Sequence, residues 1–247
     1  SEPHNRHETT LAWGYSVRMT DLIDTTEMYL RTVFELEEEG ITPMRARISE
    51  RLAHSGPTVS ETVARMERDG LIEISPDRIL NLTPEGRKAA ESVMRKHRLA
   101  ECLLVDVIKL PLALVHQEAC RWEHVISEEV EVRIYEMLNH PELSPFGNPI
   151  PGLADLLNRN IGEKFRNSGE DAISNLATIS ATKVLITRLG ESIQSEVDIF
   201  NELLAARIIP GAIIDLQKTS EGILLKADSE VGLTNEEASH IFGSPLS

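Results

Sequence analysis

The sequence predicts a mainly α-helical protein with a β-rich C-terminal part. Three observations carry this. Apolar residues recur at helical spacing up to about Leu138. Residues 21–82 read helix, helix, turn, helix, hairpin, the order of a winged helix-turn-helix. After the stretch Pro141–Gly152, which holds four prolines, short strands replace helices.

At 247 residues the chain has room for one large domain or two to three small ones. Lys and Arg total 25 against 40 Asp and Glu, a net charge of −15, which excludes a uniformly basic coat but not a local basic face. Two cysteines exclude a disulfide scaffold and suit a reducing cytoplasm. No apolar run approaches the roughly 20 residues that span a bilayer. Residues 1–18 lack the apolar core of a secretory signal and read as a polar, disordered extension, with Met19 opening the first periodic segment.

The winged-helix unit is expected over 19–82. Its first helix, Leu22–Glu38, has an apolar stripe of Ile23, Leu30, Val33 and Phe34 and stops at Gly40. Thr42-Pro43 reads as a cap and N1 proline for the second helix. His54-Ser55-Gly56 is a turn, and Pro57 opens the third helix, which ends at Asp69-Gly70. Strands Leu71–Ile74 and Ile79–Leu82 flank the turn sequence Ser75-Pro76-Asp77-Arg78. On the third helix Val59, Val63 and Met66 share one face, while Thr58, Glu61, Arg65 and Arg68 share the other. Arginines there suit the phosphates beside a major groove, and Arg45, Arg47 and Arg51, with Arg78 in the wing, would extend the footprint. The alternative is a solvated helical face.

A helical domain is expected over 83–140, with helices from Pro84 to about Ile108, Leu112–Val125 and Ser127–Leu138. On the first, Val93, Ala100, Leu104 and Ile108 mark the buried face, and His97 and Glu101 project into it. Such a pair inside an apolar stripe is costly unless it binds something, and at i, i+4 both side chains can reach one cation. On the second, His116, Cys120, Glu123 and His124 flank a stripe of Leu112, Val115, Ala119, Trp122 and Ile126. Imidazole, thiolate and carboxylate at the edge of a core are transition-metal donors. Taken singly, each has a bland reading as a packed histidine or an ordinary ion pair. Cys102 lies off this face and reads as packing. Met28 lies opposite the stripe of the first helix, beside Asp24, Arg31 and Glu35, where a thioether could serve a soft metal site.

Residues 141–175 read as a proline-rich and polar tether, and 176–247 as a small β-rich domain. Its strands are expected at Lys183–Arg188, Ala212–Gln217 and Gly222–Lys226, with a helix over Ser195–Ala206 and a capping box at Thr234–Glu237.

The strings DTTEMYLRT (24–32), SGPTVSETVARMERDGL (55–71), VMRKHRLAE (93–101), EACRWEH (118–124) and SPFGNPIPGL (144–153) closely resemble the diphtheria toxin repressor and iron-dependent regulator family of bacterial repressors. The resemblance runs from about Met19 to Leu153 and is looser beyond Lys183. It implies a homodimer whose subunits join a winged helix, a helical metal and dimerisation domain, and an SH3-like C-terminal barrel. It implies Fe(II) as corepressor, palindromic operator DNA bound by one or two dimers, and repression of iron uptake without enzymatic activity. Carried over by position, a primary site would be Met28, Cys120, Glu123 and His124; an ancillary site would be His97, Glu101 and His116, with Glu191 and Gln194 from the C-terminal part. DNA contacts would involve Arg45, Arg47, Ser55, Pro57, Thr58, Ser60, Glu61, Arg65, Arg68 and Arg78, with Ser55 and Pro57 meeting thymine methyls.

Thioether and thiolate donors favour Fe(II) over Mn(II), with Mn(II), Co(II), Ni(II) or Zn(II) as substitutes in vitro. A manganese-responsive regulator of the same family and a metal-independent winged-helix regulator are the alternatives. A metallohydrolase is disfavoured by the lack of an HExxH or similar motif. Glu61 departs from the family's usual glutamine, which predicts an altered operator. The Pro145–Pro151 segment is a candidate to dock on the barrel.

Overall fold

A computed structural model describes residues 17–158 and 169–246. Of the expected N-terminal extension, residues 1–16 lie outside the described residues, as do 159–168 of the expected tether. Helix α1 spans Val17–Glu39, so it starts ahead of both Met19 and the expected Leu22. Tyr29, Leu30, Val33, Phe34 and Leu36 of α1 are buried, while the side chain of Ile23 lies outside the described ones. Fully burying a side chain such as Phe34 is worth roughly 1.5–3 kcal/mol. The helix stops where Gly40 turns left-handed (φ 74°).

Helix α2 (Arg45–Leu52) is preceded by Met44 at its cap, not by Thr42-Pro43. Pro43 is buried instead, and its carbonyl accepts from Leu80 N–H at 2.9 Å, which pins it to the wing. Helix α3 (Gly56–Arg68) is capped by Ser55, carries Pro57 in its first turn, and buries Val59, Val63 and Met66. The wing is the antiparallel pair β1 (Ile72–Ile74) and β2 (Leu80–Leu82), with Ile72 opposite Leu82.

Helix α4 (Pro84–Asp106) runs from a Thr83 cap and packs against α1. Helices α5 (Leu112–Trp122) and α6 (Glu128–Met137) follow. Ile108, expected on the buried face, lies past the end of α4 and is about half exposed. The segment 145–151 lies on the C-terminal sheet: Leu189 N–H donates to the Phe146 carbonyl at 2.9 Å, and Asn148 Nδ2 donates to the Leu189 carbonyl at 2.8 Å. A Cβ at Gly147 would run into the Thr187 carbonyl, so glycine permits this approach.

Beyond a short helix α7 (Leu153–Leu157), the chain forms β3 (Asp171–Ala172), α8 (Ile173–Leu176), β4 (Thr182–Leu189), α9 (Glu191–Ser195), α10 (Val197–Ala205), β5 (Ile213–Lys218), β6 (Ile223–Lys226), β7 (Glu230–Leu233), α11 (Asn235–Ser239) and β8 (Ile241–Pro245). The part expected as an SH3-like barrel is a six-stranded antiparallel sheet in the order β3-β8-β4-β5-β6-β7. Three expected strands are there with shifted ends; β3, β7 and β8 were not expected, and β3 falls within the expected tether. The helix expected over 195–206 forms as α10, a short helix α9 that was not expected precedes it, and the Thr234 capping box forms.

One apolar core joins Ala100, Leu104, Val115 and Ala119 of α4 and α5 to Phe146, Phe200 and the sheet. A second fills the winged helix. The C-terminal part packs on α5 through α9 and α10, and α9 faces α1 across a cleft.

Candidate metal centre

His97 and Glu101 lie one turn apart on α4 and are fully buried. His116 and Cys120 lie one turn apart on α5, whose last turn delivers Glu123 as its C-cap. Packing α4 against α5 brings these pairs together. Donor atoms of His97, His116 and Cys120 all lie within 4.8 Å of one another. Cys120 Sγ is 3.6 Å from His116 Nε2. His97 lies between two carboxylates, with Nδ1 2.7 Å from Glu123 Oε2 and Nε2 2.9 Å from Glu101 Oε1. The rings of His97 and His116 meet edge to face at 5.0 Å.

Met28, Cys120, Glu123 and His124 line one cavity of about 600 Å³ between α1, α5 and α9. His124 Nδ1 is 2.6 Å from Glu27 Oε2 on α1, which fixes the ring, and its Nε2 is 3.4 Å from Glu123 Oε1. Glu191 is buried on the cavity wall, where Arg98 Nε donates to it at 2.9 Å. Arg98 also grips Glu38 of α1 through both terminal nitrogens, at 2.9 and 2.5 Å. Gln194 is buried, and its Nε2 donates to the Leu189 carbonyl. The two ligand sets that the sequence separates are thus interleaved: His97 touches Glu123, and His116 touches Cys120.

Burial opposes charge on each of these groups, and their partners outweigh it. Arg31, His116 and His97 hold the Cys120 thiol down at about 4. Arg31 and His97 hold Glu123 at about 2, and His97 with His116 does the same for Glu101. In return, Cys120 and Glu101 lift His116 to about 9, and Glu101 and Cys120 hold His97 well above its usual value despite burial and the nearby Arg31.

The donor set fits a divalent transition metal, combining thioether, thiolate, imidazole and carboxylate. Buried polar atoms support this. Glu101 Oε2, His116 Nδ1 and Gln194 Oε1 are each buried without a hydrogen-bond partner among the described residues, a costly condition unless something binds there.

Sequence reasoning missed Arg31, Glu27 and Arg98. The polar face of α1 is buried in the cleft, with Arg31 and Glu35 under a tenth exposed. Arg31 Nη1 donates to both Glu123 oxygens, at 2.9 and 2.7 Å, and lies 3.3 Å from Cys120 Sγ. Its position three residues after Met28 was the available signal.

On the winged helix, Ser55, Pro57, Thr58, Ser60, Glu61 and Arg68 are exposed on or just ahead of α3, and Arg47 on α2. Arg78 is exposed in the wing with φ 65°. Arg65 is half-buried, 3.3 Å from Thr26 Oγ1, and Arg45 is half-buried. Arg51 turns inward to Glu39 and Glu35, so it leaves the expected footprint.

Residues 21–80 match the family described as iron dependent repressor, N-terminal DNA binding domain. Residues 83–152 match its metal binding and dimerisation domain. The chain is 51% identical over 227 residues to the iron-dependent repressor IdeR of Mycobacterium tuberculosis, covering 89% of this chain and 96% of that one. It is 57% identical over 199 residues to the diphtheria toxin repressor of Corynebacterium efficiens, covering 80% and 85%. The crystal structure of T. acidophilum IdeR superposes with a TM-score of 0.69 at 26% identity, covering 89% of this chain and 97% of that one.

Proposed function

The chain belongs to the iron-dependent repressor family, and on that footing we propose that it is an iron(II)-dependent transcriptional repressor. It binds palindromic operator DNA as a homodimer in the cytoplasm and represses iron-uptake genes. One observation carries the reading beyond kinship: the α5 donors His116, Cys120 and Glu123 share a cavity with Met28 of α1, the helix that carries the DNA-binding unit.

Met28, Cys120, Glu123 and His124 would hold one ion; His97, Glu101, His116, Glu191 and Gln194 would hold a second. Bound there, Fe(II) would supply a divalent charge that soft and hard donors from α1, α4, α5 and α9 can share. Met28 and Glu27 stand on α1, while Cys120 and Glu123 stand at the end of α5. Drawing them to one point fixes α1, and with it α2 and α3, against the dimerisation helices. Two α3 helices of a dimer are then held at the spacing of successive major grooves. The DNA-competent arrangement needs only tighter ligation than its alternative, and a difference of about 2–3 kcal/mol gives roughly 30–150-fold in DNA affinity. Arg47, Arg68 and Arg78 meet phosphates, and the exposed tip of α3 reads bases.

Anaerobic equilibrium dialysis against Fe(II) tests the assignment. Two ions per wild-type chain and one per Cys120→Ser chain support it. Fe(II) uptake unaffected by Cys120→Ser contradicts it.

A further inference from the structure

Arg31 occupies the point at which the Cys120 thiolate and the Glu123 carboxylate converge. A single nitrogen, Nη1, lies 2.7 and 2.9 Å from the carboxylate oxygens and 3.3 Å from Sγ. A divalent cation bound by those donors sits about 2.0–2.3 Å from each of them. It would overlap a nitrogen already this close to all three atoms. The guanidinium also carries a positive charge, so the two cations repel.

We propose that Arg31 is a built-in competitor for the Cys120–Glu123 ligand pair, and that its side chain must withdraw before a metal ion can be held there. This rests on the metal reading above.

The structure provides a place for the withdrawn head. Arg31 Nε is already 2.6 Å from Glu35 Oε1, one turn further along α1. The cavity beside it is also lined by Glu50, Glu196 and Glu236. Arg31 can therefore keep its α1 anchor while its terminal nitrogens swing towards other carboxylates.

The exchange also moves a tether. With Arg31 in place, α1 is tied to the end of α5 at position 31. With Met28 as ligand it is tied at position 28, about 4.5 Å away along the helix axis. A competitor that holds the closed arrangement lowers apparent metal affinity by the fraction of molecules left open. It therefore sets the metal concentration at which the protein responds.

Anaerobic Co(II) titration of the full chain against a competing chelator tests this, read by the thiolate-to-cobalt charge-transfer band. If Arg31 closes about nine-tenths of the molecules, Arg31→Leu, which adds no new donor, raises Co(II) affinity about tenfold. Arg31→Lys keeps the charge without the planar fork and is expected to gain a few-fold. It serves as the test if the Leu variant does not fold. Arg121→Leu is the control, because it removes an exposed positive charge next to Cys120 in sequence that pairs with Glu118 and touches neither ligand, and it should change affinity less than twofold. Equal or weaker Co(II) binding in the folded Arg31 variants overturns the proposal. So does an equal gain in Arg121→Leu, which would mean a general field effect. A wild-type protein that binds Co(II) with no charge-transfer band is a different failure, that of the Cys120 ligand assignment.

Discussion

His97 Nδ1 lies 2.7 Å from Glu123 Oε2, so a residue of each proposed ligand set is the other's hydrogen-bond partner. Its second ring nitrogen faces Glu101, so carboxylates flank both sides of the imidazole. This arrangement favours imidazolium, and His116 is likewise raised, to about 9. A histidine must be neutral to ligate, so loading the site releases these protons. Cys120, held at about 4, is already a thiolate near neutral pH and releases none. Co(II) affinity is therefore expected to fall as pH falls from 8 to 6, by about tenfold per unit for each proton released. Affinity measurements at three pH values check this; a flat profile contradicts it.

Cys120→Ser and Cys102→Ser should separate cleanly. Loss of a ligand's hydrogen-bond partner typically costs about 10–100-fold in metal affinity, so loss of the Cys120 donor should cost at least about 100-fold. Cys102 packs in a separate cluster with Leu99, Ile134 and Leu153. Its serine variant should keep wild-type Co(II) affinity. Parallel Co(II) titrations and thermal melts check both: before metal is added Cys102→Ser should melt near wild type, and Cys120→Ser somewhat lower, because a neutral hydroxyl replaces the thiolate that balances Arg31 and His116.

Arg98 holds the cleft together from the inside. It is fully buried, bonded to Glu38 of α1, to Glu191 of α9 and to the Pro149 carbonyl at 2.5 Å. Burial lifts Glu38 to about 7 even against the pull of Arg98. Arg98→Met leaves two buried carboxylates without their cation and should cost about 3–5 kcal/mol. Urea unfolding measures it. Adding Glu38→Gln should recover part of the loss.

Glu61 is exposed on the outer face of α3. Its carboxylate repels phosphates but can accept from cytosine N4, whereas glutamine pairs with adenine. Glu61→Gln is expected to raise affinity for non-specific DNA and to change the preferred base at the contacted position, with about 1–3 kcal/mol of discrimination. Operator selection with both proteins checks this; identical selected sequences contradict it.

The helical donors were legible because their spacing is local. His97–Glu101 and His116–Cys120 are both i, i+4 pairs at the edge of apolar stripes, and helix geometry alone puts each pair on one face. The pairing of His97 with Glu123, and the entry of Arg31 between Glu123 and Cys120, join residues 26 and up to 92 positions apart. No periodicity encodes that. The polar face of α1 was read as far as Met28, but the burial of Arg31 and Glu35 beside it comes from elements distant in sequence that cover it. Thr42-Pro43 mimicked a helix cap, but the Pro43 carbonyl serves the wing. Strand β3 escaped because it is two residues long, and β7 and β8 because Gly232, Gly243 and Ser244 within them read as breakers.

Metal gating of DNA binding is tested most directly by anaerobic fluorescence anisotropy on a palindromic operator, with Fe(II) added first and chelator afterwards. Binding should appear with Fe(II), collapse with chelator and be absent throughout in Cys120→Ser. Operator binding of equal strength before Fe(II), with Fe(II) and after chelator would contradict it, and would leave a winged-helix repressor whose histidine and cysteine cluster is structural.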